Sequence, residues 1–337
     1  MLAYALTAIL TLSLLVLVHE LGHYIMAKVL GIAVETFSIG FGKPLWKKML
    51  YGTEFRLGWI PLGGYVAYSE DSENGDSMSK VSPSRKILVA LAGPAANLFF
   101  APLVFALVYL IGVETPNLAV NLVKNGSPAM IAGFERGDTI KAIDGQRVDA
   151  WKDVTDAVSD SSGSSLIISI VKMNGAAESL SVTPKRDNGV WRIGIQPSAE
   201  IVSYGIVDSA ILGISKSVEA TDMTANMILK LVTGNVPAAN LGGPIMISKI
   251  AGEQASAGLS PLLFFIAMLS INFGLMNLLP MPVLDGGQIV IFSLEALFKR
   301  SMSDSAQMLV QRIGVSLLLF IFGYTIFNDI TKIVLGS

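Results

Sequence analysis

The chain has 337 residues, of which 52% are apolar and only 15% charged, against about 25% charged residues in an ordinary soluble domain, which argues against a soluble globular protein. Its 24 Lys and Arg against 26 Asp and Glu give a net charge of -2, so no basic excess exists to neutralise a phosphate backbone, and nucleic acid is not expected as a partner. There is no cysteine and there are only two histidines, which removes thiolate chemistry and confines imidazole chemistry to His19 and His23.

Crossing a bilayer core takes roughly 20 apolar helical residues. Four charge-free runs come near that length: 1–18, 87–113, 254–284 and, shortest, 313–328. The first lacks a basic leader and a small-residue cleavage site and runs directly into His19-Glu20, so it reads as a retained span rather than a signal peptide. Nothing basic precedes it, whereas the loop from Lys28 to Lys86 carries eight Lys or Arg. That loop is therefore expected in the cytoplasm and the N-terminus outside. Residues 114–253 are then outside, where twelve basic residues raise no objection because long translocated domains escape the charge rule. The third run re-enters the cytoplasm and the fourth returns outward.

Between the first two runs, residues 32–68 are rich in Gly, aromatic and β-branched residues, with turn material at Lys43-Pro44 and Tyr51-Gly52-Thr53; they predict a small antiparallel sheet. Residues 69–84 have the acidic, Ser-rich composition of a solvated loop. Beyond the second run, strands are predicted at 118–123, 138–143, 164–172, 178–183 and 191–195, with a helix at 151–158 and a hairpin turn at Asp144-Gly145. The order Gly126-Ser-Pro, Ala132-Gly-Phe, Gly137-Asp-Thr-Ile, Ile143-Asp-Gly resembles PDZ domains of bacterial membrane-linked proteases. Such a sheet can add a peptide strand at its edge or act only as a size filter. Ile211, Ile214, Val218, Ala225, Ile228 and Val232 recur at helical spacing among charged residues, which predicts an amphipathic helix that either lies on the membrane or packs on the preceding domain. Residues 236–250, broken by Pro237, Gly242, Gly243 and Pro244, read as an interfacial or re-entrant piece.

His19-Glu20-Leu21-Gly22-His23 is H-E-x-x-H. Positions i and i+4 share a helix face, so two imidazoles can ligate one Zn²⁺ while Glu20 acts as general base on its water. The bare pattern is common, but here it uses every histidine and lies at the end of an apolar span, where ionisable groups are costly and default to function. A catalytic zinc wants three protein ligands. With histidine exhausted, a carboxylate must supply the third, and Asp285 is the candidate because it terminates the third charge-free run. By the orientation above, His19 at a depth of ~27 Å and Asp285 reach the same side of the membrane, although 262 residues separate Asp285 from His23.

Together with Gly40, Gly42, Pro61-Leu-Gly-Gly-Tyr65 and Ala92-Gly-Pro-Ala-Ala-Asn97, the motif Asn277-x-x-Pro280-x-Pro282-x-Leu284-Asp285-Gly286-Gly287 resembles the site-2 protease family of intramembrane zinc metalloproteases, of the regulator of sigma-E protease type, over nearly the whole chain. The departure is one PDZ-like domain where a tandem pair is best known. The resemblance implies a polytopic α-helical membrane protein with four transmembrane helices, a membrane-associated β-sheet and an inserted extracytoplasmic PDZ-like α+β domain. The expected divisions are 1–113, 114–200 (PDZ-like), 201–253 (amphipathic helix and connector) and 254–337. Location in a bacterial cytoplasmic membrane follows, with the lipid bilayer as surroundings. By the same resemblance, Gly63, Gly64 and Tyr65 hold an unwound substrate strand, and the substrate is a single-span membrane protein already trimmed outside, such as an anti-sigma factor or a signal-peptide remnant. Asn277 is expected to hydrogen-bond substrate backbone, and Pro280 and Pro282 to break the third helix so that Asp285 turns to the metal. Asn97 reads equally as an interhelical contact. Rival readings are a non-enzymatic adaptor, for which Glu20 would be dispensable, and a zinc transporter, which would want ionisable residues along several spans.

Overall fold

A computed structural model describes residues 2–69, 75–78, 80–187, 189–235 and 242–335; residues 70–74 of the acidic stretch 69–84 and part of the connector, 236–241, lie outside them. The chain divides into two compact units, Met1–Ile111 with Tyr204–Ser337, and Gly112–Ser203.

The first unit opens with helix α1 (Leu2–Val29), apolar on all sides until His19. Strands β1 (Val34–Leu50) and β2 (Thr53–Tyr68) follow as an antiparallel pair. They turn at Tyr51-Gly52, both at positive φ (51° and 74°), the geometry two-residue hairpin loops prefer. The turn expected at Lys43-Pro44 is not made. β1 runs through it with Pro44 opposite Gly58, and register shifts between Phe41 and Trp46 absorb the missing donor, as bulges allow. β2 instead doubles back: residues 54–57 pair with one edge of 36–39 and residues 64–67 with the other. This crossing needs glycine, since a Cβ on Gly40 would come within 2.6 Å of the Ile60 carbonyl oxygen and one on Gly58 within 2.6 Å of the Phe41 carbonyl oxygen. Helix α2 (Pro83–Ile111) lies against α1 at backbone distance, because a Cβ on Gly22 would meet the Ala92 carbonyl oxygen at 2.3 Å. Small residues permit such approach where no hydrophobic force separates helix from lipid.

The second unit comprises β3 (Val113–Val123), α3 (Pro128–Ala132), β4 (Thr139–Ile143), β5 (Gln146–Arg147), α4 (Trp151–Asp160), β6 (Leu166–Val171), β7 (Ala177–Val182), β8 (Lys185–Asp187), β9 (Val190–Arg192) and β10 (Ile195–Val202). The antiparallel sheet runs β10-β3-β4-β6-β7 with β5 beside β4, and β8-β9 is a separate pair. Alternate residues Leu166, Ile168 and Ile170 of β6 face a core shared with Val120, Ile140, Val154 and Val158. The Asp144-Gly145 turn forms as expected, at φ 48° and 80°. The strand expected at 191–195 is divided into β9 and β10 by Gly194 at φ 85°.

The chain then returns to the first unit with α5 (Ile206–Val232), α6 (Pro244–Ala257), α7 (Leu259–Asn277), α8 (Asp285–Phe298) and α9 (Asp304–Leu335). α5 packs on α2 and α7, a placement outside the two alternatives expected of the amphipathic helix: a Cβ on Gly213 would lie 2.6 Å from the Ala106 nitrogen, and Thr224 Oγ1 bonds Asn272 Oδ1 at 3.0 Å. The run 254–284 is not one helix ending at Asp285. Gly258, at φ 133°, separates α6 from α7, and α7 stops at Asn277 because the residues before Pro280 and Pro282 disfavour helical backbone. Asp285 opens α8, an element the sequence reading lacks. Among the described residues four helices are long and apolar enough to span a bilayer: Ala3–Val29, Pro83–Ile111, Leu259–Asn277 and Ser305–Lys332. The fourth is much longer than its charge-free core. α6, with 14 residues or ~21 Å, is too short to join them.

α6 is held by a charge from α9. Asp329, fully buried, accepts backbone N–H bonds from Gly243 (2.9 Å), Ile245 (3.0 Å) and Met246 (3.0 Å), so it caps that helix from across the fold and faces its positive dipole end. Asp329→Ala strips the first turn of α6 of its acceptor and is expected to destabilise the unit by at least the ~1–2 kcal/mol of an ordinary N-cap loss. Thermal unfolding in detergent, with Asp329→Asn as the milder variant, checks this; parental stability for the alanine variant contradicts it.

Candidate metal centre

The helical pitch puts His19 and His23 on one face of α1, with their Nε2 atoms 3.2 Å apart and rings edge-to-face at 4.8 Å. Asp285, in the first turn of α8, brings Oδ2 to 2.9 Å from His19 Nε2 and Oδ1 to 3.3 Å from His23 Nε2. Both histidines are buried. His23 Nδ1–H donates to the Val89 carbonyl oxygen at 2.8 Å, which leaves the Nε2 lone pair directed at its neighbours. Asp285 Oδ2 is buried without a hydrogen-bond partner among the described residues. Two imidazole lone pairs and a desolvated carboxylate call for a shared cation. Ligands 2.0–2.1 Å from a tetrahedral zinc ion stand about 3.3 Å from one another; the two histidine nitrogens, 3.2 Å apart, match that edge, and each has a different Asp285 oxygen within 2.9–3.3 Å. The residues therefore fit Zn²⁺, with two nitrogen donors and one oxygen as in open catalytic sites.

The neighbours of this cluster are fitted to it. α2 passes so close that a Cβ on Gly93 would fall 2.3 Å from His23 Nε2 and 2.9 Å from His19 Cε1. Phe273 of α7 stands edge-on to His19, ring centres 5.2 Å apart, and lines the same cavity. In the segment entering α8, Val283 has φ 81°, a strained state for a β-branched residue costing about 1–3 kcal/mol. Gly314 of α9 closes on it, since a Cβ there would lie 2.5 Å from Val283 Cγ2.

His19, His23 and Asp285 open into a cavity of about 730 Å³ that Glu20, Gly63, Gly64, Tyr65 and Asn277 also line. Glu20 packs against the sheet: its Cγ is 3.1 Å from where a Cβ on Gly64 would be. Tyr65 lies parallel to Phe41 at 6.1 Å. Asn277 Nδ2 donates to the Phe273 carbonyl oxygen of its own helix at 3.0 Å. Pro280 and Pro282 do not line the cavity; they belong to the segment that carries the chain from α7 to α8. Asn97 is also away from it, donating from Nδ2 to the Leu15 carbonyl oxygen at 3.4 Å while its backbone carbonyl accepts from Ser270 Oγ at 2.9 Å, an interhelical contact. The sequence reading missed Val89, whose role is played by a backbone atom and leaves no side-chain signal, and Tyr68. The Tyr68 phenol lines the cavity, and burial, with Glu20 and Asp285 near it, raises it far above the ordinary phenol range, so it stays a neutral donor. The second unit holds a separate cleft of about 540 Å³ lined by Trp151, Val154, Val158, Trp191, Ile193 and Ile195 among others.

Residues 7–321 match the sequence profile of Peptidase family M50. A Campylobacter jejuni protein that bears the name of a zinc metalloprotease is 32% identical over 98% of this chain and 94% of its own. The Regulator of sigma E protease of Haemophilus influenzae is 29% identical over 96% of this chain and 98% of its own. A solved PDZ domain of an SdrC-like protein from Listeria monocytogenes is 24% identical, covering 25% of this chain and 90% of its own, at a TM-score of 0.22.

Gly93→Ala is expected to push the His23 ring off the cluster and lower bound zinc at least tenfold, as loss of ligand orientation does. Elemental analysis of purified protein reads it, and a full equivalent of zinc in the variant contradicts it.

Proposed function

The chain belongs to peptidase family M50 and is a zinc metalloprotease, and from that premise we propose that it cuts single-span membrane proteins within the bilayer. One observation carries this reading: His19, His23 and Asp285 converge in a cavity framed by helices apolar enough to span a membrane. We assign the zinc ligands to His19, His23 and Asp285 and the general base to Glu20. Zinc, when bound, acidifies a coordinated water and polarises the scissile carbonyl. Glu20 takes the proton of the attacking water and returns it to the leaving amine. The Val89 carbonyl holds His23 in the tautomer that ligation requires, and Phe273 packs edge-on against His19.

A peptide bond within a membrane helix is already hydrogen-bonded, so a substrate must unwind before it can be cut. Among the described residues, 64–67 pair with β1 along one edge, and their other edge offers backbone groups to an added strand. Gly63 and Gly64 fit closely against Phe41 and Ser38, and Tyr65 and Asn277 line the cavity with them. The distribution of Lys and Arg supports a cytoplasmic loop between the first two spans, hence an extracytoplasmic second unit and a bacterial cytoplasmic membrane location. Substrates of this reading are anti-sigma factors or signal-peptide remnants trimmed on the outer side, with the second unit barring those that keep bulky outer domains.

Reconstituted with a trimmed single-span substrate, the parent is expected to cleave, whereas Glu20→Gln falls by at least the 10²–10⁴-fold that general bases contribute while keeping its zinc, and chelation abolishes activity. Equal behaviour of all three overturns the reading. Deletion of residues 115–196 is expected to permit cleavage of untrimmed substrate; an unchanged requirement for trimming, with trimmed substrate still cut, removes the filter role.

A further inference from the structure

A second pair of ionisable groups lies buried away from the reaction. Lys86, in the first turn of α2, places Nζ 3.4 Å from Glu295 Oε2, in the last turn of α8, with side chains 11% and 6% exposed. Glu295 Oε1 also accepts the Met302 backbone N–H at 3.1 Å, and Lys86 Nζ sits 5.3 Å from the centre of the Phe292 ring. The pair is fully engaged, yet no step of the chemistry uses it. A buried ion pair contributes little net stability over an apolar pair of equal volume, and its best-attested use is to fix register.

What it registers follows from where the two helices lead. On α2, Val89 and Gly93 follow Lys86 by roughly one and two turns; Val89 orients His23, and Gly93 is the surface both histidine rings rest on. On α8, Phe292 and Gln288 lie between Glu295 and Asp285 on one face, and both border the metal cavity. The ion pair thus joins the two helices about ten residues, ~15 Å, from the point where α8 must deliver Asp285 to histidines held by α2. A slip of a single residue would shift α8 by 1.5 Å and turn it by about 100°, which takes the carboxylate off the site. We propose that Lys86 and Glu295 are positioning residues that set the register of α8 on α2 and so place Asp285 on the zinc.

This rests on the assignment of Asp285 as a ligand, and its test separates the two. Zinc affinity of the full-length protein in detergent is measured by competition with a chromophoric chelator for Lys86→Met, Glu295→Gln, the exchange variant Lys86→Glu with Glu295→Lys, and Asp285→Asn, alongside thermal unfolding of the metal-free forms. The single variants are expected to lose about 10–100-fold in zinc affinity, the range for outer-shell changes, and the exchange variant to recover to within about threefold of the parent. Parental affinity in both single variants, whatever their unfolding temperature, overturns the proposal while Asp285→Asn still loses zinc. Retention of zinc by Asp285→Asn overturns the ligand assignment and the proposal with it. Should the single variants not fold, the exchange variant decides: parental affinity supports the positioning role, and a folded exchange variant with weak zinc refutes it.

Discussion

The backbone-to-backbone approach of α1 and α2 is the constraint on which the rest of the first unit depends. Gly22 rests on the Ala92 carbonyl, and Gly93 lies under the two histidine rings with no room for a methyl group. That closeness lets a carbonyl of α2 reach His23 Nδ1, while the Nε2 atoms of both histidines lie beside Asp285 of α8. Packing and chemistry are here one requirement. Helices in lipid gain nothing from hydrophobic burial against each other, so they associate where small residues allow close contact, and His19 and His23 sit at such a contact.

Polar groups elsewhere in the first unit follow the same economy of placement. Asn97 bridges α1, and its backbone carbonyl takes the Ser270 hydroxyl of α7; Asp329 caps α6; Lys86 meets Glu295. Each of these groups would be costly alone in an apolar surround. Paired, each ties one helix to another at a defined height. At the candidate metal site, among the described residues, Asp285 Oδ2 and His19 Nδ1 are buried without a hydrogen-bond partner.

The strained segment between α7 and α8 shows how the fold delivers Asp285 to the two histidines from a distant part of the chain. Prolines 280 and 282 stop α7, Val283 adopts a left-handed backbone, and Gly286 and Gly287 let the first turn of α8 press on the carbonyls of Leu278, Leu279 and Met281. Asp285 enters at a helix N-terminus, where the dipole favours its negative charge. The sheet on the other side of the cavity is shaped by comparable means, with β2 doubling over β1 at Gly40 and Gly58.

Much of this was legible in the residues themselves. Charge-free runs mark helices because lipid tolerates few charges, and His19 and His23 share a face because helical pitch is the same everywhere. A chain with two histidines and no cysteine also leaves a carboxylate as the natural third donor. Local turn chemistry likewise marks Tyr51-Gly52 and Asp144-Gly145, since positive φ favours few residue types. Tertiary structure alone decided the rest: that α5 packs on α2 and α7, that Asp285 begins a helix instead of ending one, that β2 pairs with both edges of β1, and that Val89 and Gly93 complete the histidine pair. These depend on backbone atoms and on absent side chains meeting across long separations. Residue type carries no record of which carbonyl a ring nitrogen will find, or of where a missing Cβ makes room.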